Sequence, residues 1–327
     1  MVKTGIENKT GVLILFCFKE WSECDGRDEN VKLIHLQKLN YNHIKSNQNK
    51  MDKILVTTDF SSNSKAGLRF AIQLATQQKY ELTFFHSYYI MKPTSWNDAT
   101  SAAYEKAEAD KIQKKLNQFV ESVYKNMGVV SKNIKCVIKS SVPTDSNISD
   151  YAYENKFNFI CISTRGAGIF KKIFGTNTSN LINHSTIPVI AVPHNYHSSK
   201  ITSILYVSDL VNLKNELKKV VEFTRPLKAK VELLHFHYPA EITNNKKMMN
   251  EAVKKISKHN IKLHLEDINL AETLITNIEA AIRKSKPSMM IMFTRQNRSF
   301  FDKIFLSSKS AEYSFNAKIP LLVFNKI

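Results

Sequence analysis

The chain is predicted to be an α/β protein made of two tandem, doubly wound domains. Each would hold a five-stranded parallel sheet, and the two would pack as a pseudo-dimer. Three observations carry this expectation. Short, continuously apolar runs alternate with longer amphipathic stretches, the pattern of parallel strands covered by helices on both faces. The order of these runs repeats: Lys53-Ile-Leu-Val-Thr-Thr-Asp59 returns as Thr202-Ser-Ile-Leu-Tyr-Val-Ser-Asp209, its aspartate 150 positions on. Ile160–Arg165 likewise returns as Met290–Arg295, and Ile187-Pro-Val-Ile-Ala-Val-Pro193 as Ile319-Pro-Leu-Leu-Val-Phe324. Three matches in one order mark a tandem duplication.

Ile54–Thr58 is expected as the first strand. Ser62–Gln78 follows as a helix, with Ala66, Phe70 and Leu74 on one face at the helical spacing. Glu81–Ser87 is the second strand, and after a proline-containing loop Ala99–Met127 forms a long charged helix. Ile134–Ser140 is the third strand, Thr144–Asn155 a short helix and Phe159–Ser163 the fourth strand. Thr176–Asn183 is a helix and Val189–Val192 the fifth strand. The second copy places strands near 203–207, 231–236, 261–265, 289–293 and 320–324. Right-handed crossovers turn each set into a doubly wound layer. The first domain is therefore residues 51–195 and the second 201–327, joined by the polar linker His194–Lys200. Residues 1–50 do not fit the plan. They are read as an N-terminal extension, either poorly ordered or upstream of a natural start at Met51.

Composition narrows the function. With 43% hydrophobic and 23% charged residues, the 327-residue chain is globular and long enough for two domains. Its longest apolar run, Val12 to Phe18, falls far short of the ~18 residues that cross a bilayer. Four irregularly spaced cysteines argue against a disulfide scaffold or a paired zinc site and suit a reducing cytoplasm. The net charge of +18 raises nucleic acid as a partner. However, the surplus is mostly lysine scattered over both copies, with no dedicated basic tail, which speaks against that partner.

One stretch carries chemistry: Ser163-Thr-Arg165-Gly166-Ala-Gly-Ile-Phe-Lys171-Lys172-Ile-Phe-Gly175-Thr176-Asn177. It follows a buried strand and enters a helix. Glycines let the backbone approach a bulky anion, and a helix start presents unpaired N–H groups. Arg165, Lys171 and Lys172 add positive charge. In a doubly wound sheet this loop and Asp59 both lie at the carboxyl ends of strands, where ligands bind.

These residues resemble the ATP-binding branch of the universal stress protein family. That motif is Gly, two residues, Gly, nine residues, Gly, then Ser or Thr. Ile-Leu-Val-Thr-Thr-Asp59, His86 at the end of the second strand and Ile187-Pro-Val-Ile-Ala-Val-Pro193 match as well. The resemblance covers 51–193 well, 201–327 more loosely, and not 1–50. It implies an adenine nucleotide alpha-hydrolase-like fold and bound ATP, with Mg2+ as its companion. It further implies that Asp59 meets the adenine, with the Thr57 backbone beside the ribose, and that the Ser87 backbone hydrogen-bonds the base. Gly166, Gly175, Thr176 and Asn177 would cradle the phosphates. There are two departures: Ser163 stands at the first glycine, and eight residues instead of nine separate Gly166 from Gly175.

In the second copy Phe293, Gln296 and Leu306 occupy the glycine positions, so no nucleotide is expected there. Taken singly, Asp59 reads equally well as a strand-end turn residue and Gly175-Thr176 as a helix entry. His86 and His235 recur in both copies and read as structural. There is no nucleophile–base pairing, no metal-spaced cluster and no Walker lysine, so catalysis beyond weak ATP hydrolysis is not expected. The resemblance implies a nucleotide-dependent role in stress-response regulation. The alternative is a nucleotide-independent scaffold with both sites defunct. The two copies either satisfy each other or assemble further, as a homodimer, through their fifth strands.

Overall fold

The computed structural model describes residues 51–130, 133–164, 176–237, 246–257, 259–294 and 319–325. In the first half, strands β1 (Asp52–Thr57), β2 (Tyr80–Tyr88), β3 (Lys135–Ser140), β4 (Phe159–Ser163) and β5 (Val189–Val192) are parallel and ordered 3-2-1-4-5. Their crossovers carry α1 (Lys65–Gln77), α2 (Asp98–Met127), α3 (Thr144–Glu154) and α4 (Thr176–His184). The second half repeats the arrangement with β6 (Ser203–Val207), α5 (Leu213–Leu227), β7 (Lys230–His237), α6 (Lys246–Ser257), β8 (Lys262–Asp267), α7 (Leu274–Ser285), β9 (Met289–Thr294) and β10 (Leu321–Asn325). Its order is 8-7-6-9-10.

The expectation of two separate five-stranded sheets needs correcting. The ten strands form one sheet, because β10 pairs antiparallel with β5 through Leu321↔Ala191, Leu322↔Ile190 and Val323↔Val189. The physical reason lies in those strands. All four residues of β5 and the first four of β10 are buried. As free edges they would expose apolar surface and an unpaired ladder of N–H and C=O groups. The seam also inverts direction, so the carboxyl ends of the first-half strands lie on the opposite edge of the sheet from those of the second half.

Side chains alternate along each strand into two apolar layers. Ile54 and Val56 pack under α1 and α2 with Phe70, Leu74, Leu116 and Val120. Leu55 and Ile160 pack under α3 and α4 with Ile148, Ala152 and Leu181. Helix α2 starts with Asn97, whose side chain accepts from the Thr100 N–H at 2.8 Å, and stops at Gly128, left-handed at φ 64. The linker is polar in sequence yet anchored. Tyr196 is buried edge-on to Phe70, Arg69 donates to its carbonyl at 3.2 Å, and Gln77 bonds both backbone groups of Ile201. Among the described residues no helix is long and apolar enough to cross a membrane.

Gly67 sets how deeply α1 sinks onto the sheet. A Cβ there would stand 3.2 Å from the Ser163 backbone nitrogen, and the Cys161 thiol reaches the Gly67 carbonyl at 3.5 Å. Gly67→Val is therefore expected to destabilise the protein by about 1–3 kcal/mol through overpacking against backbone. The readout is a lower urea midpoint with unchanged slope. An unchanged midpoint would show that helix and strand do not meet this closely.

Candidate functional site

Strand β1 feeds α1 and then β2 on one side, whereas its other neighbour β4 is reached from β3 through α3. The chain segments leaving β1 and β4 diverge, which opens a crevice at the strands' carboxyl ends. A cleft of ≈ 310 Å³ occupies that position. Thr57, Asp59, Ser87, Ser163 and Asn177 all line it. Five of the nine residues expected from sequence thus come together. Arg165, Gly166 and Gly175 lie outside the described residues, as does the side chain of Thr176, and so do Lys171 and Lys172.

Each lining side chain has a definite local role. Asp59 Oδ1 accepts from the Ser61 N–H at 3.0 Å, forming a tight turn in which Phe60 adopts φ 63. The Thr58 hydroxyl accepts from the Phe60 N–H at 3.1 Å and meets Ser64 Oγ at 2.8 Å, tying the turn to the helix start. Thr57 is buried, and its hydroxyl donates across to the Cys161 carbonyl at 3.4 Å. Ser163 Oγ donates to the Asn63 carbonyl at 2.7 Å, so the serine at the first glycine position bridges β4 to the β1–α1 loop. Ser87 Oγ accepts from Asn147 at 2.7 Å. Sequence reasoning missed Asn63, Thr144, Asn147 and Thr178, which serve or line the cleft, and its apolar walls Phe85, Ile148 and Ile162. A polar side chain in the first turns of a helix after a strand was the available signal for Thr144 and Asn147.

His86 is held by the fold. A carbonyl only accepts, so its Nδ1 carries the proton donated to the Thr58 oxygen at 2.8 Å. Its ring lies against Phe60, 4.1 Å between centroids, and Lys115 caps Phe60 at 4.6 Å. Burial lowers the His86 pKa below 6.5, outweighing the Thr58 hydrogen bond and Asp59, which raise it. His235 makes the same contact to the Ser208 carbonyl at 3.0 Å. Burial likewise pushes the thiol pKa of Cys136 up to about 11 and that of Cys161 higher still, as inert buried cysteines require.

The equivalent region of the second half is filled. The turn is the same, with Asp209 accepting from the Val211 N–H at 3.1 Å and Leu210 at φ 64. The strand register matches Ser163 with Phe293, since Ile54 pairs Phe159 where Ile204 pairs Met289. Phe293 is buried, stacked on Phe324 at 5.0 Å and edge-on to Tyr206 at 5.8 Å. Leu217 and Glu216 stand where the first half has Gly67 and Ala66. Tyr206 donates its hydroxyl to the buried Glu216 carboxylate, which Ser208 Oγ also reaches at 3.1 Å. Gln296 and Leu306 lie outside the described residues.

The architecture is that of the universal stress proteins. A universal stress protein from Archaeoglobus fulgidus DSM 4304 superposes with a TM-score of 0.58 at 17% identity, over 84% of this chain and 98% of its own. A protein of unknown function from Pseudomonas aeruginosa PAO1 superposes at 0.53 and 13% identity, over 84% of this chain and 92% of its own. At these identities the likeness is one of fold, and it spans both halves. In sequence, residues 50–193 match the universal stress protein family, so this part of the chain is a domain of that family. No curated protein matches the chain.

The lowered His86 pKa has a pH signature. Folding favours the neutral ring, so its contribution to stability is present above pH 6.5 and is lost as pH falls through the lowered folded-state value. The His86 imidazole should titrate below 6.5 by NMR. Between pH 7 and pH 5 the parent should lose stability more steeply than His86→Gln, and equal slopes would contradict this account.

Proposed function

We propose that the first half binds ATP or a related adenine nucleotide, and that the protein acts in stress-response regulation through that ligand and not as a dedicated enzyme. One observation carries the reading. Residues 1–50 apart, side chains far apart in sequence (Thr57, Asp59, Ser87, Ser163 and Asn177) converge on one cleft at a topological switch point. This happens inside the segment that matches the universal stress protein family. The cleft suits such a ligand: Phe85, Ile148 and Ile162 offer apolar walls for a flat base, while hydroxyls, an amide and Asp59 face the ribose side. Arg165, Gly166, Gly175, Thr176 and Asn177 would hold the phosphates. Among the described residues no group of three or more His, Cys, Asp or Glu could hold a metal, so Mg2+ would arrive with the phosphates.

On this reading the chain comprises two domains, 51–195 and 201–327, paired within one molecule, and only the first takes nucleotide. The filled space around Phe293, Leu217 and Glu216 supports the second statement. A nucleotide-independent scaffold is the competing reading, favoured by Ser163, whose hydroxyl is already used to bridge β4 and the β1–α1 loop.

Mass spectrometry of small molecules released from freshly purified protein decides between them. Adenine nucleotide at one equivalent per chain is expected, and none from Gly175→Val. Two equivalents would refute the assignment of an empty second half. No nucleotide retained, and none bound on titration, would favour the scaffold.

A further inference from the structure

The direction of one hydrogen-bond chain in the cleft wall constrains the ligand more tightly than the cleft's volume does. Asn147, near the start of α3, is 3% exposed. Its side-chain nitrogen meets two oxygens, the Lys139 carbonyl at 3.1 Å and Ser87 Oγ at 2.7 Å. A main-chain carbonyl only accepts, so the group facing it is the amide NH2, which fixes the orientation of the side chain. The same NH2 therefore donates to Ser87 Oγ. That oxygen is an acceptor in this contact, and its own proton is free to point elsewhere. No acceptor for the proton is present among the described residues. Ser87 lines the cleft on the wall built by β2 and α3, which also supplies Phe85 and Ile148. The wall thus presents one O–H donor set among apolar side chains.

We propose that Ser87 is a specificity residue whose hydroxyl donates to an unprotonated ring nitrogen of a bound purine. Asn147 is the positioning residue that keeps Ser87 a donor. The inference rests on the nucleotide reading above and deepens it. A flat heteroaromatic ring is the ligand part that both fits between apolar side chains and carries hydrogen-bond acceptors in its own plane. Adenine offers three such nitrogens, N1, N3 and N7. A ring N–H placed opposite Ser87 would set donor against donor and leave the amide chain of Asn147 with no outlet.

Calorimetric titration of the full chain, stripped of nucleotide, tests this with ATP and its 1-deaza, 3-deaza and 7-deaza analogues. One analogue is expected to bind the parent about five- to tenfold more weakly than ATP, the effect of one hydrogen bond lost from a desolvated site. Ser87→Ala should bind ATP more weakly by the same factor and no longer distinguish that analogue. Asn147→Asp replaces the donor with an acceptor that captures the Ser87 proton, so it should show the same loss. Its unfolding transition verifies that the buried substitution still folds, and the Ser87→Ala result stands without it. If Ser87→Ala binds ATP and all three analogues as the parent does, the inference fails while the nucleotide reading survives. If an analogue's deficit persists unchanged in Ser87→Ala, the inference also fails. If the parent binds no nucleotide, the underlying reading falls and this inference with it.

Discussion

The central placement of β1 governs the rest of the molecule. It pairs with β2 along six positions, Asp52 to Thr57, and with β4 along three, Ile54 to Val56. Parallel neighbours cannot be joined by a tight turn, so each connection must cross over a face of the sheet through a helix. Right-handed crossovers then send α1 to one face and α3 to the other. Past Val56 the two strands lose their pairing and their outgoing segments separate. The cleft is the space that this separation leaves. It needs no residue selected for binding in order to exist, which is why the same crevice recurs in principle at β6 and β9.

What the duplication conserves is therefore scaffold. Asp59 and Asp209 build the same turn, Phe60 and Leu210 adopt the same left-handed conformation, and His86 and His235 donate to the same carbonyl. An imidazole whose Nδ1–H is committed to a backbone oxygen locks the end of the second strand of each half to the end of the first. Because this lock persists where Phe293 fills the crevice, it serves the fold first. Asp59 has the same double character: its turn role is shared with Asp209, and only its position on the cleft rim is its own.

The strands were legible in the sequence because both faces of this sheet are buried. Continuous apolar runs such as Ile54-Leu-Val and Met289-Met-Ile-Met-Phe293 have no other reading at that length, and each appears as a strand. The joining of β5 to β10 was less visible. An apolar strand at the end of each repeat says that it must be covered, but not by what, and edge pairing leaves no sequence signature of its own. Site residues at strand ends, Thr57, Asp59, Ser87 and Ser163, were readable from their position after apolar runs. Asn147 was not, because its function depends on a carbonyl eight residues earlier and a hydroxyl on a different strand. Tyr196 escaped for a similar reason: a polar linker hides the one ring that packs against Phe70.

The two halves differ in how they solve one problem, the space between the first helix and the fourth strand. In the first half the solution is smallness. Gly67 and Ala66 let α1 approach, Ser163 contributes only a hydroxyl, and that hydroxyl ties the two lips of the crevice together instead of filling it. In the second half Leu217, Phe293 and Tyr206 occupy the room, and a carboxylate enters the interior with them. A buried carboxylate is tolerable only when donors surround it. Tyr206 and Ser208 are those donors, and Ser208 simultaneously holds the Leu210 N–H of the turn at 3.0 Å. The filled half thus replaces an open, hydroxyl-lined crevice with a closed polar network that performs the same bracing of turn against helix. A chain carrying both solutions keeps one cavity available while the other half is committed to rigidity. The seam at β5 and β10 joins the two into one sheet, so whatever happens to the lips of the open crevice acts against a fixed counterpart rather than a second moving copy.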